Sequence, residues 1–348
     1  MLKVAILGGS GYTGGELFRI LQHHPHVKIA AVTSERLAGS SISDLFLHSR
    51  DSILKLEKLH LATLTNKADL FFLCLPHKTS QPVVAYLHEA GKKVIDLSAD
   101  FRLKSARTYQ KWYGTKHICQ PLLKKAVYGL PEVNREKIRS ASIIANPGCY
   151  PTSIVLALAP IINKDFVDTD SIIIDSKSGV SGAGRNPSQP FMFCEVNESV
   201  KAYAVSNHRH TPEIEQELNH ISGKKIKIIF TPHLIPMDRG MLSTTYIRIK
   251  DGMNLSKIQQ IYRNFYKNEP FVRVLNNGIY PTTKAVKGSN FCDISVFLDK
   301  RSHSHNTLII ISAIDNLLKG ASGQAVQNMN IMSGFDETEG LHTLPIFP

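Results

Sequence analysis

Cysteine is scarce in this sequence and follows no pattern. The 348 residues hold five cysteines, an odd number with no C-x-x-C pair. That argues against a disulfide framework and a structural zinc site, and it suits a reducing, cytoplasmic setting. Long apolar runs are missing as well. None approaches the roughly 20 residues needed to cross a bilayer. The opening stretch from Met1 to Gly8 is too short for the apolar part of a secretory signal and has no small-residue cleavage site, so it reads as a first strand. There is no internal repeat and no low-complexity segment. Lysine and arginine outnumber the acidic residues, giving a formal charge of +12. They form no long block, zinc-finger spacing, RNP-like motif or basic-aromatic stripe, so the excess reads as a basic surface suited to anionic small molecules rather than to nucleic acid.

What remains is an ordinary globular composition, 43% hydrophobic and 20% charged, in a chain long enough for two domains. The first half alternates short apolar runs with helical spacing. Lys3 to Leu7, Val27 to Val32, Leu70 to Leu75 and Lys93 to Leu97 read as strands; Glu16 to His23 and Gln81 to Ala90 read as helices. This alternation predicts a doubly wound parallel sheet. The character changes near Asn146. Ile172 to Ile174, Lys225 to Phe230, Leu242 to Ile249, Phe271 to Val274 and Leu308 to Ile314 are strand-like and joined by longer loops, which predicts a mainly antiparallel sheet. Asp315 to Met329 reads as a helix packing back on the first domain. The expected boundaries are 1–147 plus 315–348 for a nucleotide-binding domain and 148–314 for a catalytic and dimerisation domain.

Gly9-Ser10-Gly11-Tyr12-Thr13-Gly14 fits G-x-G-x-x-G between a strand and a helix, the context in which glycines permit a tight turn and close approach of backbone to pyrophosphate. Gly8 adds an overlapping frame. The second strand ends Thr33-Ser34-Glu35-Arg36. Ser34 and Arg36 suit a 2′-phosphate and point to NADP, while Glu35 keeps NAD open.

Cys149 lies in Asn146-Pro147-Gly148-Cys149-Tyr150-Pro151. Pro147 disfavours helix before it, and Pro151 suits the first turn of a helix. Cys149 therefore falls at a helix N-terminus, where the dipole favours a thiolate. The other four cysteines lack this setting. Among fifteen histidines, His208 and His210 are the best acid/base partners: two apart on an extended segment, they point the same way. No third ligand supports a metal there. Ser176 to Arg185 is a small-residue loop carrying Lys177 and Arg185, able to bring backbone N–H groups and charge to a phosphate. Arg102, after the fourth strand, can anchor a carboxylate or phosphate.

Taken together, these stretches resemble the N-acetyl-γ-glutamyl-phosphate reductase family. Further matches are Tyr128 to Glu132, Pro232-His233-Leu234, Asp238-Arg239-Gly240, Asp315 to Ala325 and Gly340 to Pro348, in order along the whole chain. The resemblance implies an α/β fold, a Rossmann domain plus an α+β domain of the glyceraldehyde-phosphate dehydrogenase type, and a homodimer or homotetramer. It implies Cys149 as nucleophile and His208 or His210 as acid/base. Cofactor contacts would come from Gly9 to Gly14, Ser34, Arg36, Ser178, Gly179 and Asn316, with NADP as cofactor. Substrate contacts would come from Arg102, Asn146, Lys177, Ser181, Arg185 and Glu213. The implied reaction turns an acyl phosphate into an aldehyde through a cysteine thioester, without metal. The rival readings are an aspartyl or aminoadipyl relative of that enzyme and a non-catalytic NADP-binding regulator.

Overall fold

A computed structural model describes residues 1–50, 52–301 and 306–346. The chain divides into two compact units. The first holds Met1–Gly148, Gly184–Asn186 and Ala321–Thr343; the second holds Cys149–Ala183, Pro187–Gly320 and 344–346. The C-terminal segment is thus shared, where the sequence had predicted all of 315–348 in the first unit. The reason is local. Asp315 is buried, and its carboxylate accepts from the backbone N–H groups of Gly288 at 2.7 Å and Leu317 at 2.9 Å and pairs with Arg239 at 3.0 Å, all within the second unit. Ile346 likewise donates its N–H to Lys287 there. Phe347 and Pro348, which end the expected segment, lie outside the described residues.

The first unit is built on six parallel strands: β1 Leu2–Leu7, β2 Val27–Val32, β3 Leu70–Leu73, β4 Lys93–Asp96, β5 Val127–Tyr128 and β6 Ile143–Ala145. Their order is β2-β1-β3-β4-β6-β5. β3 and β6 are buried along their whole length, as expected of strands covered on both faces. The order reverses between β1 and β3. Ligands bind at such a switch, beyond the carboxyl ends of the strands. Gly8, at φ +84°, follows β1 there, and a Cβ on it would lie 2.5 Å from the Cys74 carbonyl oxygen after β3. No side chain fits between these two strand ends.

The second unit carries seven strands: β7 Ile173–Ser178, β8 Lys201–Ala202, β9 Ile229–Leu234, β10 Met241–Ile249, β11 Val272–Val274, β12 Cys292–Asp299 and β13 Asn306–Ile314. Their order is β11-β12-β13-β10-β7-β9-β8. The long central pairs are antiparallel, while β11/β12 and β7/β9 are parallel. The expected strand at Lys225 begins later, at Ile229. The N–H groups of Ile226 and Ile228 go instead to Asn219 and Glu215 of the helix Thr211–Ser222. The helix expected from Asp315 also starts late. A π-helical turn spans Leu318–Ser322, and the regular helix is Gly323–Ser333.

Helices Cys149–Leu158 and Leu255–Phe265 pack on one face of this sheet. Tyr262 fastens them together, donating its hydroxyl to the Ala157 carbonyl at 2.6 Å. Under the helix Cys149–Leu158 lies a dry layer of hydroxyls. Ser153 meets Ser243 at 3.0 Å and Ser312 at 2.7 Å, and Ser176 meets Ser243 at 2.8 Å, all fully buried. Alternation along the strands puts Ile173, Ile229 and Tyr246 on the opposite, exposed face, side by side through the β7/β9 and β7/β10 registers.

Candidate active site

The glycine turn in the first unit leads straight into the helix Tyr12–Leu21, earlier than the apolar spacing indicated. Gly14 must be glycine, because a Cβ there would sit 2.5 Å from the Gly9 Cα. Gly9 donates its N–H to the Thr33 carbonyl at 2.8 Å, tying the turn to the end of β2. Gly11 is the helix N-cap. It supplies no side-chain cap, and nothing lies within 4 Å of where its Cβ would be. The first turn also has no acidic residue, so the positive end of the helix dipole faces an open cradle. Thr13 lends its carbonyl to the Ser322 hydroxyl at 2.9 Å, and Tyr12 is exposed.

Around this cradle stand the residues of the β2 end. Ser34 donates its hydroxyl to Ser10 Oγ at 3.0 Å, and Arg36 reaches Asn186 Oδ1 at 2.7 Å. Glu35, the residue that would favour a ribose 2′-hydroxyl, is turned away: its carboxylate accepts the Leu59 N–H at 2.8 Å. Arg185, expected at the substrate, lies here too, donating to the Ser10 carbonyl at 3.1 Å.

Two other residues read as substrate contacts are spent within the first unit. Arg102 is buried, with Nε on the Asn146 carbonyl at 2.7 Å and Nη2 on the Leu97 carbonyl at 2.8 Å. It stands beside Asp96, whose carboxyl is pushed up to about 7 by burial and by Asp100. The Asn146 amide donates to the Ala321 carbonyl at 3.0 Å and accepts from Asn328 at 3.1 Å. Both residues hold the loop that ends in Pro147 and Gly148.

In the second unit Cys149 is the first residue of its helix, every later residue of which is buried. It is itself half-buried. Gly320 lies against it, and a Cβ on Gly320 would come within 2.8 Å of the Cys149 Cβ. Burial raises the Cys74 and Cys119 thiols above the ordinary range. Cys292 is buried and Cys194 exposed.

The two histidines meet. Their ring centroids are 4.9 Å apart, and Tyr150, Tyr203 and Phe230 surround His208 edge-on at 5.4, 5.5 and 5.4 Å. His208 Nδ1 accepts the backbone N–H of His210 at 3.1 Å. A ring nitrogen that accepts carries no proton, so the neutral tautomer has its hydrogen on Nε2. Burial, with the Arg209 charge adding to it, lowers His208 to about 4. The Tyr150 and Tyr203 hydroxyls share a hydrogen bond of 3.0 Å. Burial raises both, Tyr203 to about 12. Neither tyrosine was singled out in the sequence, although Tyr150 follows the cysteine directly. Between Tyr203 and His208 the chain turns through Ala204 and Ser206, both left-handed at φ 48° and 62°. Those turns bring two aromatic residues five positions apart onto one cluster.

The small-residue loop is not the phosphate nest that its composition suggested. Three of its N–H groups are already used: Gly179 donates to the Gly240 carbonyl, Val180 to Met237 and Ser181 to Asp238, at 3.0, 2.9 and 2.9 Å. Gly179 is required by that zipper, since a Cβ would lie 2.9 Å from the Asp238 oxygen. Lys177 belongs to β7, not to a loop. Alternation turns it away from the buried Ser176 and Ser178, and it pairs with Asp175 at 2.7 Å, so the face it occupies is opposite the one bearing the Cys149 helix. Ser178 donates its hydroxyl to the Gly179 carbonyl at 3.1 Å. Asn316 donates to Ser181 Oγ at 3.0 Å and accepts from the Gly240 N–H at 2.7 Å. Glu213 is buried in the first turn of the helix Thr211–Ser222. Among the described residues no cluster of three metal-ligating side chains occurs.

Comparison with known proteins matches this division of the chain. Residues 3–141 fit the semialdehyde dehydrogenase NAD binding domain, and residues 149–316 fit the semialdehyde dehydrogenase dimerisation domain. Among solved structures, aspartate semialdehyde dehydrogenase II from Vibrio cholerae, complexed with ASA, superposes with a TM-score of 0.73 at 18% identity, over 96% of this chain and 98% of that one. Aspartate semialdehyde dehydrogenase with NADP from Candida albicans gives 0.72 at 16% identity, over 96% and 98%. At such identities the likeness is one of fold. Sequence relatives are far nearer. N-acetyl-gamma-glutamyl-phosphate reductases from Pelobacter propionicus and Geotalea daltonii are 55% and 53% identical, each over 100% of both chains. With more than half of all positions shared from end to end, the chain belongs to the N-acetyl-gamma-glutamyl-phosphate reductase family.

Proposed function

We propose that this chain reduces N-acetyl-γ-glutamyl phosphate to N-acetyl-glutamate 5-semialdehyde and phosphate, with NADPH as reductant, as a step of arginine biosynthesis. One observation carries the reading: Cys149 opens a buried helix in the same unit as the ring cluster of His208, His210, Tyr150 and Tyr203. The open cradle at Gly11, the close Gly9/Gly14 approach and the withdrawal of Glu35 fit a dinucleotide bearing a 2′-phosphate, held by Gly9 to Gly14, Ser34 and Arg36.

His210 takes the proton of the Cys149 thiol, and the peptide dipoles of the helix's first turn favour the thiolate. The thiolate attacks the acyl carbon. The same dipoles favour the tetrahedral oxyanion. As it collapses, the C–O bond to phosphate breaks, His210 returns its proton to the leaving phosphate, and a thioester remains on Cys149. The nicotinamide, when bound, supplies a hydride to the thioester carbon. Breaking of the carbon–sulfur bond releases the aldehyde and Cys149 as thiolate, and a solvent proton restores the thiol. His208 stays neutral through this cycle, because its Nδ1 serves as acceptor for His210 and its pKa is low. It offers only Nε2–H, a donor for a substrate oxygen. Ser181 and Glu213 line the substrate, and Ser178, Gly179 and Asn316 keep the neighbouring loop in place.

The exposed row of Ile229, Ile173 and Tyr246 supports assembly as a homodimer or homotetramer through this sheet face. All five cysteines are free, which supports a reducing cytoplasm, and among the described residues no helix is long and apolar enough to cross a membrane. The test is NADP reduction by the full chain with N-acetyl-glutamate semialdehyde, with and without phosphate, beside aspartate and aminoadipate semialdehydes. Phosphate-dependent activity is expected, fastest with the acetylglutamyl compound, and lost in Cys149→Ser while NADPH still binds. Near-wild-type activity in Cys149→Ser would sink the scheme.

A further inference from the structure

Resting on the reading of the glycine turn as an NADPH site, we infer that Arg185 is a specificity residue for the dinucleotide, completing with Arg36 a clamp on its 2′-phosphate. The sequence sets Arg185 in a stretch otherwise devoted to the second unit, where an arginine suggests a substrate anchor. The fold places it elsewhere. Only Gly184, Arg185 and Asn186 of that stretch belong to the first unit, and Gly184, at φ +85°, turns the chain at the start of the excursion. These residues form a strap along the nucleotide turn. Arg185 Nη1 donates to the Ser10 carbonyl at 3.1 Å, and its guanidinium stands 5.5 Å from the Phe46 ring centroid. Asn186 Oδ1 receives Arg36 at 2.7 Å. Ser10 in turn accepts the Ser34 hydroxyl.

Ser10, Ser34, Arg36, Arg185 and Asn186 thus form one cluster at the end of β2, where the ribose of a bound dinucleotide falls. Two guanidiniums and two hydroxyls converge on it. The one acidic residue of the segment, Glu35, points its carboxylate at the Leu59 N–H instead. Among the described residues neither Arg36 nor Arg185 pairs with a carboxylate. A 2′-phosphate brings close to two negative charges and three acceptor oxygens, which suit a pair of planar forks. NADH offers only a neutral hydroxyl. Arg185 therefore discriminates between the two coenzymes and takes no part in holding the acyl phosphate.

The test is calorimetric titration of the full chain with NADPH and with NADH, for wild type, Arg185→Ala and Arg185→Lys, together with the KM for the semialdehyde. Loss of one charged fork should weaken NADPH by roughly 10- to 100-fold and leave NADH binding and the semialdehyde KM close to wild type. Arg185→Lys should recover part of the loss. If NADPH and NADH weaken equally, Arg185 merely holds the Ser10 turn and the clamp is refuted. If NADPH binding is unchanged and the semialdehyde KM rises, Arg185 is a substrate residue and the clamp is again refuted. A wild-type chain that bound neither dinucleotide would instead overturn the underlying NADPH reading, and the clamp with it.

Discussion

His208 should make the protein lose stability in weak acid. The ring is held neutral by its surroundings: Nδ1 accepts a backbone N–H, three aromatic rings pack around it, and Arg209 adds a like charge. Its pKa falls from 6.5 to about 4. A base whose pKa is lower in the folded state binds fewer protons folded than unfolded, so stability rises with pH between the two values. The contribution is complete above the unfolded pKa and is lost as pH falls from 6.5 towards about 4. At about pH 5 the two pKa values give a loss of about 2 kcal/mol relative to about pH 8, an upper figure because the ring is only half-buried. Other histidines share the window; burial lowers His24 and His117 too. The clean quantity is therefore a difference of differences. In His208→Asn the amide oxygen replaces Nδ1 as acceptor but does not titrate. Urea unfolding of wild type and variant at both pH values should show the wild type losing about 2 kcal/mol more than the variant. Equal losses, or a proton NMR titration of His208 with a midpoint near 6.5, would refute the account of a buried neutral imidazole.

The same tautomer argument separates the two histidines in catalysis: His210→Asn should lower kcat by about 10²- to 10⁴-fold, and His208→Asn by less, in steady-state assays at neutral pH. Gly320→Ala inserts a methyl group 2.8 Å from the Cys149 Cβ. A displaced nucleophile should cost kcat about a hundredfold while NADPH titrations stay unchanged; undiminished turnover would show that the helix start can shift freely.

The first unit was the more legible half. β3 and β6 are buried on both faces and appear as unbroken apolar runs, and the glycine spacing is enforced by contacts that no other residue allows. Cys149 was legible because two prolines frame its helix start. The errors share one cause: a side chain's direction depends on register and partner, which composition does not carry. Lys177 was read in a loop but lies in a strand, so alternation turns it to the far face. Gly179 to Ser181 looked like free donors, yet the carbonyls of Met237, Asp238 and Gly240, sixty residues on, had claimed them. Arg102 looked like an anion anchor but serves two carbonyls brought to it by the fold. Tyr203 gave no signal, because only the left-handed turns at Ala204 and Ser206 bring it to His208.

The hydroxyl layer beneath the Cys149 helix constrains how this enzyme can change. An apolar contact between helix and sheet tolerates gradual drift, one methyl group at a time. Ser153, Ser176, Ser243 and Ser312 do not. Replacing Ser243 by alanine takes from Ser176 its hydroxyl partner, at about 1–3 kcal/mol, whereas replacing the bonded set together with residues of matched shape can be nearly neutral. A lineage that changes Ser243 alone meets that cost, whereas joint change avoids it, so the layer slows drift at its centre. The seat of the Cys149 helix on the sheet stays fixed while changes accumulate elsewhere.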